Sequence, residues 1–266
     1  MTSPRGSLVA VGIGIKLAQQ CTPEARHAIE TADVVFTAGG DPVTQHWLSG
    51  LNANTISLHA HYGQGKSRRR TYDDMVAAIM AEVRAGKRVC AAYYGHPGIF
   101  VRSSHEAIAQ ARAEGFDAHM LPGVSAEDCL FADLGVDPGD VGRQSYEAQD
   151  WLINARAFDV RAPLILWQIA IVGDRSMTLL SSDPRRVAIL TEVLSRHYPA
   201  DHPVTLYEAA IFPTGRPKIE TLPLCDLHQA AITQQSTLYV PPLAPPRPDR
   251  ERVALIEARL TAAAGA

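Results

Sequence analysis

Short apolar runs that alternate with capped helical segments constrain this chain more than any other feature. The run SLVAVG over Ser7–Gly12 ends in glycine, and downstream Thr22-Pro23 sets an N-cap residue before proline at the first helical position. The rhythm repeats with a strand over 33–37, a helix opening at Asp41-Pro42, a strand over 55–58, and a helix capped by Thr71 with Asp74 three residues on. Helix 72–85 puts Val76, Ile79, Met80 and Val83 on one face and stops at Gly86. A strand over Arg88–Tyr93, a helix over 103–114 closed by Gly115, and a strand over 116–121 complete the pattern. Such alternation predicts a parallel sheet covered by helices.

Beyond Pro122-Gly123 the pattern loosens. A helix over 125–134, a strand over Leu164–Trp167, a helix over 184–198 and strands over 204–207, 218–222 and Thr237–Val240 predict a mixed sheet with antiparallel pairs. The expected class is therefore α/β in two domains, 1–121 and 122–242. A stiff proline-rich spacer and a terminal helix follow over 243–266. A chain of 266 residues, 46% hydrophobic and 20% charged, is long enough for two such cores.

A net charge of -3 gives no general attraction to nucleic acid, and no apolar run nears the 18 residues of a membrane span. The N-terminal Met1-Thr2-Ser3-Pro4-Arg5-Gly6 leads straight into the first strand, with no room for a signal h-region. Cys21, Cys90, Cys129 and Cys225 lie far apart with no Cys-x-x-Cys pair, which suits reduced thiols in a cytoplasm. His59 and His61 would share one strand face, but two imidazoles without a third ligand make a poor metal site, so no metal is expected.

Chemistry concentrates in loops after strands. Gly12-Ile13-Gly14-Ile15-Lys16 follows the first strand, where open parallel sheets place ligands, but lacks the third glycine and the acidic residue of a dinucleotide site. Tyr94-Gly95-His96-Pro97-Gly98-Ile99 follows the fourth strand in the equivalent position. Ser125 opens a helix and, with Asp128, has the spacing of a simple cap. Between His59 and Tyr72, two tyrosines and three arginines crowd beside small residues. A phenol with pKa about 10 is a poor base near neutrality, and fixed positive charge favours its phenolate. Taken alone, that stretch reads better as a basic loop that binds anions or only meets water.

Taken together, the Gly-x-Gly after strand one, Ala32-Asp33-Val34-Val35-Phe36, Tyr94-Gly95-His96-Pro97-Gly98 and Pro122-Gly123-Val124-Ser125-Ala126 resemble the tetrapyrrole methylase superfamily. Its members bind S-adenosylmethionine between two α/β domains. Within it, the chain is most similar to borosin peptide backbone α-N-methyltransferases, through Tyr62-Gly63, Arg68 and Tyr72, and through the run from Pro122 to Asp133. Trp167-Gln168, Tyr207-Glu208-Ala209-Ala210, Ile219 to Pro223 and Ser236 to Tyr239 extend the likeness to about Pro242. Porphyrinoid methylases usually carry Gly-Asp-Pro where this chain has Gly95-His96-Pro97, and Gly-Pro-Gly-Asp where it has Gly14-Ile15-Lys16. Both departures point away from tetrapyrrole substrates.

The resemblance implies S-adenosylmethionine as cofactor, with contacts from Gly12, Tyr94, His96, Ile99, Ser125, Ala126, Gln168, Ala209, Ser236 and Thr237. It implies Tyr72 as phenolate base, Arg68 as the cation that holds it so, and Tyr62 or Arg68 as donor to the amide oxygen. Lowering a phenol pKa by roughly three units requires about 4 kcal/mol of preferential phenolate stabilisation. Fused relatives continue into a clasp and a substrate peptide, so this chain is expected to act in trans on a separate precursor peptide, as a homodimer. Two readings compete: a porphyrinoid C-methyltransferase, and a catalytically silent cofactor- and peptide-binding module. His59, Arg69 and Arg70 have no assigned role.

Overall fold

In a computed structural model, residues 6–38, 41–63, 65–179 and 181–264 are described, and side chains through residue 260. Residues 1–5 of the expected leader-free N-terminus and Gln64 of the tyrosine- and arginine-rich stretch lie outside them. The first half runs β1 (Ser7–Gly12), α1 (Pro23–Thr31), β2 (Val34–Ala38), α2 (Pro42–Leu51), β3 (Thr55–Ser57), α3 (Arg68–Arg84), β4 (Arg88–Tyr93), α4 (Arg102–Ala113) and β5 (Asp117–Leu121). The second runs α5 (Ala126–Leu134), α6 (Pro138–Val141), β6 (Gln144–Glu147), α7 (Ala148–Ile153), β7 (Leu164–Trp167), α8 (Pro184–Leu194), β8 (Pro203–Glu208), β9 (Lys218–Pro223), β10 (Thr237–Val240) and α9 (Arg250–Ala264).

The first sheet has the order β3-β2-β4-β1-β5 and is parallel throughout. Strand alternation sends Leu8, Ala10, Val34, Phe36, Val89 and Ala91 to one face, under Met75, Val76, Ile79, Met80 and Val83 of α3 and Ala107, Ile108 and Ala111 of α4. Val11, Val35, Cys90 and Ala92 pass to the other, under Ala25 and Ile29 of α1 and Leu48 of α2. Both faces are therefore buried, as a parallel sheet with crossover helices requires. Each fully buried aliphatic side chain contributes about 1.5–3 kcal/mol of transfer free energy.

The second sheet, β6-β7-β10-β8-β9, is mixed: β6 and β7 run parallel, and β10 is antiparallel to both β7 and β8. Leu164, Leu166, Val204, Leu206, Leu238 and Val240 pack against Val187, Leu190 and Leu194 of α8. On the opposite face Ile165, Trp167, Tyr207 and Tyr239 meet Leu130 of α5. No helix among the described residues is long and apolar enough to cross a membrane.

The caps expected at Thr22 and Asp41 form: Thr22 Oγ1 accepts from Ala25 N, and Asp41 Oδ1 from Val43 N. Three local expectations need correction. Helix α3 begins one turn early, because Ser67, not Thr71, accepts a backbone N–H; Thr71 is buried inside the helix, and its hydroxyl bonds back to Ser67 O. β3 ends at Ser57, and Leu58–His61 turns into a short 3-10 segment, so His59 and His61 do not share a strand face. The short polar edge strand β6 was not expected, since its sequence QSYE carries no apolar pattern.

Candidate active site

The ends of β1, β4 and β5 crowd together at the C-terminal edge of the first sheet. Gly14 and Gly95 exchange backbone hydrogen bonds, Gly95 N to Gly14 O at 2.8 Å and Gly14 N to Gly95 O at 3.3 Å. Both have positive φ, 74° and 70°, which glycine adopts without a Cβ penalty. Gly12 lies against the Gly95 carbonyl and Gly123, so the loops after three strands meet backbone to backbone. The edge of the second sheet is set by register: Glu147 pairs with Trp167, Leu166 with Leu238, and Thr237 with Tyr207, which aligns Glu147, Gln168, Ser236 and Glu208 along one end.

The two edges are joined across the seam. Leu17 N donates to Ile211 O at 2.7 Å, Gln20 Nε2 to Cys129 Sγ at 3.3 Å, and the Phe100 ring tilts against Trp167 with 6.2 Å between centroids. Phe100 has φ of 55° and Gln168 58°, left-handed conformations that cost a non-glycine residue free energy and cluster at functional sites.

Early entry into α3 puts Arg68 and Tyr72 four residues apart on the same helix face. The preceding loop is braced by Lys66, whose Nζ donates to Asp74 Oδ2 at 2.6 Å and His61 O at 2.7 Å. Tyr62 and Tyr72 are part-buried against the α3 core. Burial, followed by the adjacent Tyr72 phenol and then Tyr94, raises the Tyr62 pKa well above the ordinary phenol value, with Arg68 opposing. Tyr62 therefore stays a protonated donor. Tyr94 is 58% exposed, and desolvation, then the neighbouring Tyr72 phenol, raises its pKa. Tyr94, expected as a cofactor contact, thus belongs to one cluster with Tyr62 and Tyr72. His59 tilts on Tyr62 at 5.2 Å between ring centroids, while Arg69 and Arg70 are exposed.

Arg68 reaches across the seam. Its N–H donates to Met177 O at 2.9 Å and its Nη1 to Leu179 O at 2.7 Å, and Nη1 stands 3.7 Å from Asp174 Oδ2. Burial pushes the Asp174 carboxyl up, but hydrogen bonds from Ser176 and Leu179 N–H, with Arg68 adding, outweigh it and leave the pKa lowered. Glu147, whose Oε2 accepts from Asp150 N at 2.7 Å, has a raised pKa because burial dominates, opposed by backbone N–H bonds and the Arg68 charge. Neither acid stands out in the sequence. They meet Arg68 only through the fold, and no local spacing signals it.

The remaining expected contacts divide by what their side chains already do. Ser125 Oγ donates to Asp128 Oδ2 at 2.7 Å and accepts from Asp128 N at 3.1 Å in a reciprocal capping box, and Ser236 Oγ donates to Glu208 Oε1 at 2.6 Å. Their hydroxyls are engaged, and so are their backbone N–H groups, Ser125 N donating to Asp128 Oδ2 at 2.7 Å and Ser236 N to Thr233 O at 3.1 Å. His96 Nδ1 accepts from Gly98 N at 2.9 Å, which leaves the proton on Nε2 as a donor. Gln168 and Ala209 lie at the ends of β7 and β8, Thr237 is buried at the start of β10, and Ile99 is exposed beside Tyr94. Among the described residues, no three His, Cys, Asp or Glu side chains gather to hold a metal.

A parallel sheet covered by helices on both faces and a mixed sheet, with glycine-rich loops and a phenol and guanidinium cluster where their edges are joined, define an α/β protein with a candidate site at that seam. The chain belongs to the tetrapyrrole (corrin/porphyrin) methylase family, whose pattern matches residues 7–223. It is 42% identical over 241 residues to a methyltransferase/ribosomally synthesised cyclic peptide gymnopeptides precursor of Gymnopus fusipes, covering 89% of this chain and 57% of that protein. With the omphalotin A precursor of the same kind from Omphalotus olearius the identity is 41% over 243 residues, covering 90% and 58%. A type I borosin cyclic peptide precursor of Mycena rosella is 36% identical over 266 residues, covering 98% and 66%. The chain thus spans a little over half the length of the first two relatives. The uroporphyrin-III-C-methyltransferase of Thermus thermophilus has the same fold, with TM-score 0.63 and 21% identity over 90% of this chain and 93% of that one.

Proposed function

We propose that this protein catalyses S-adenosylmethionine-dependent α-N-methylation of backbone amides in a separate ribosomal precursor peptide. The observation that carries the reading is the convergence of Tyr62, Tyr72, Tyr94 and Arg68 at the facing sheet edges, in a chain whose relatives are named methyltransferase and cyclic peptide precursor. A porphyrinoid site has no evident use for such a cluster.

A peptide N–H is a very weak acid, its nitrogen lone pair delocalised into the carbonyl. Tyr72, acting as phenolate beside the Arg68 cation, takes that proton on its oxygen and becomes the neutral phenol. As it leaves, negative charge grows on the amide oxygen, and the Tyr62 O–H and Arg68 guanidinium are the donors that stabilise it. The Leu179 contact uses one of the five guanidinium N–H groups, which leaves others to turn to substrate. Holding the acceptor nitrogen in line is a positioning task for the loops after β4 and β7.

S-adenosylmethionine suits the loops on physical grounds. The exposed Tyr94 and Ile99 offer an apolar face for a base, the Ala126 N–H at the start of α5 suits a carboxylate, and Gly12 lets the loops after β1, β4 and β5 close together around them. Bound there, it supplies an electrophilic sulfonium methyl group. The separate acceptor peptide is part of this proposal, and α9 itself, whose described side chains from Arg250 to Leu260 are all exposed, fills no cleft. Val253, Leu255, Ile256 and Leu260 on that helix, 41–67% exposed, favour a homodimer that covers them.

The test is incubation of the full chain with S-adenosylmethionine and a candidate precursor peptide, followed by fragmentation mass spectrometry. Methyl groups on backbone nitrogens support the reading, and bound but unmodified peptide would refute it.

A further inference from the structure

The loop from Asp174 to Leu179 is folded around a carboxylate. Asp174 Oδ1 accepts from Ser176 N at 3.0 Å and Ser176 Oγ at 2.5 Å, while Oδ2 accepts from Leu179 N at 2.9 Å. Ser176 Oγ also lies 2.7 Å from Thr178 Oγ1. Within this loop Met177 is held at φ 57°, and its carbonyl accepts the Arg68 N–H. A left-handed methionine is strained, and such strain persists only where surrounding contacts over-determine it. The Asp174 side chain is 3% exposed and that of Arg68 14%.

Three donors and one cation thus converge on a single buried side chain. Asparagine could accept from Ser176, but its amide would then present a donor to the Leu179 N–H. Only a carboxylate satisfies both ends of the loop while facing a guanidinium. At 3.7 Å, moreover, Asp174 Oδ2 is too far from Arg68 Nη1 for a direct hydrogen bond. The contact runs instead through one residue: Leu179 gives its N–H to Asp174 and its carbonyl to Arg68. The guanidinium is aimed without being tied up by the acid.

We infer that Asp174 is a positioning residue for the methyl transfer, acting through the Leu179 backbone to fix the Arg68 guanidinium across the seam between the two sheets. The inference rests on the peptide-methylation reading above. A purely structural Asp174 would lower stability alone. A positioning Asp174 is coupled to Arg68, and its loss appears in the rate of transfer rather than in cofactor binding.

The experiment measures single-turnover peptide methylation and cofactor affinity for the full-length wild type, Asp174→Asn, Arg68→Lys and the double variant. Asp174→Asn should slow transfer roughly 10- to 100-fold, the scale of a misplacement of about 1 Å at a reacting centre. Cofactor affinity should stay within about twofold, and in the Arg68→Lys background the same substitution should add less than about threefold. Should Asp174→Asn fail to fold, Ser176→Ala, which removes one donor and keeps the charge, carries the same cycle with a smaller loss. Wild-type rates in Asp174→Asn, or losses that multiply fully in the double variant, would overturn the inference alone. A wild type that binds peptide and leaves it unmethylated overturns the function reading and this inference with it.

Discussion

Gly12 and Gly123 approach so closely that a Cβ on Gly12 would stand 2.9 Å from the Gly123 Cα and 2.3 Å from the Gly95 carbonyl oxygen. Both of these contacts are backbone, and a third, Pro97 Cδ at 2.9 Å, belongs to a rigid ring, so nothing flexible can yield. Gly12→Ala must separate the loops after β1, β4 and β5. We expect a loss of about 1–3 kcal/mol in stability, the usual cost of overpacking. Cofactor affinity should fall further than this general destabilisation accounts for, measured by thermal unfolding beside calorimetric titration.

Tyr72→Phe removes one oxygen and leaves the ring packed against the α3 core. If that oxygen takes the amide proton, turnover should drop at least about 100-fold, the reach of general base catalysis. S-adenosylmethionine affinity should hardly change. A variant that turned over at the wild-type rate would move the base elsewhere in the tyrosine cluster.

Tyr62→Phe probes the donor rather than the base. Burial and its phenol neighbours keep Tyr62 protonated, and its O–H, hydrogen-bonded to Tyr72, turns to the amide oxygen when substrate is bound. The variant should lower kcat by about 10- to 100-fold, less than Tyr72→Phe, with KM for peptide little altered. Equal losses at both positions would contradict the division of roles.

The thiols give a prediction independent of activity. Burial pushes Cys90 up to about 12 and raises Cys21 and Cys129, whereas Cys225 is exposed. Because the thiolate reacts, alkylation at pH about 8 should reach Cys225 first, Cys21 and Cys129 more slowly, and Cys90 only on unfolding. The same burial has a pH consequence. Above about pH 9 the Cys90 thiol ionises in the unfolded chain but not in the folded one, so folding stability falls as pH rises. Cys90→Ala should flatten that slope in thermal unfolding between pH 8 and 10, roughly the span over which a free thiol ionises.

Much of the architecture can be read from the sequence because period-2 and period-3.6 patterns are local. Val76, Ile79, Met80 and Val83 line the buried face of α3, and Thr22 and Asp41 cap as their spacing requires. Reading failed where tertiary packing chose between local alternatives. Ser67 and Thr71 are both good caps, and burial of Thr71 decided for Ser67, which brought Arg68 into the helix. The tyrosine and arginine pair was recognisable by motif. Its environment was not, because Asp174, Leu179 and Glu147 lie far along the chain and carry no spacing signal. Likewise, that the Ser125 and Ser236 hydroxyls are committed to Asp128 and Glu208 emerges only from side-chain geometry.

The central claim is that this site methylates backbone amide nitrogen, and the location of the transferred group tests it most directly. With isotopically labelled S-adenosylmethionine, wild-type protein and a candidate precursor peptide, fragment ions should place every label on a main-chain nitrogen, with none transferred by Tyr72→Phe. Label on side chains, on a porphyrinoid offered in competition, or on no acceptor while the peptide is bound would contradict the account.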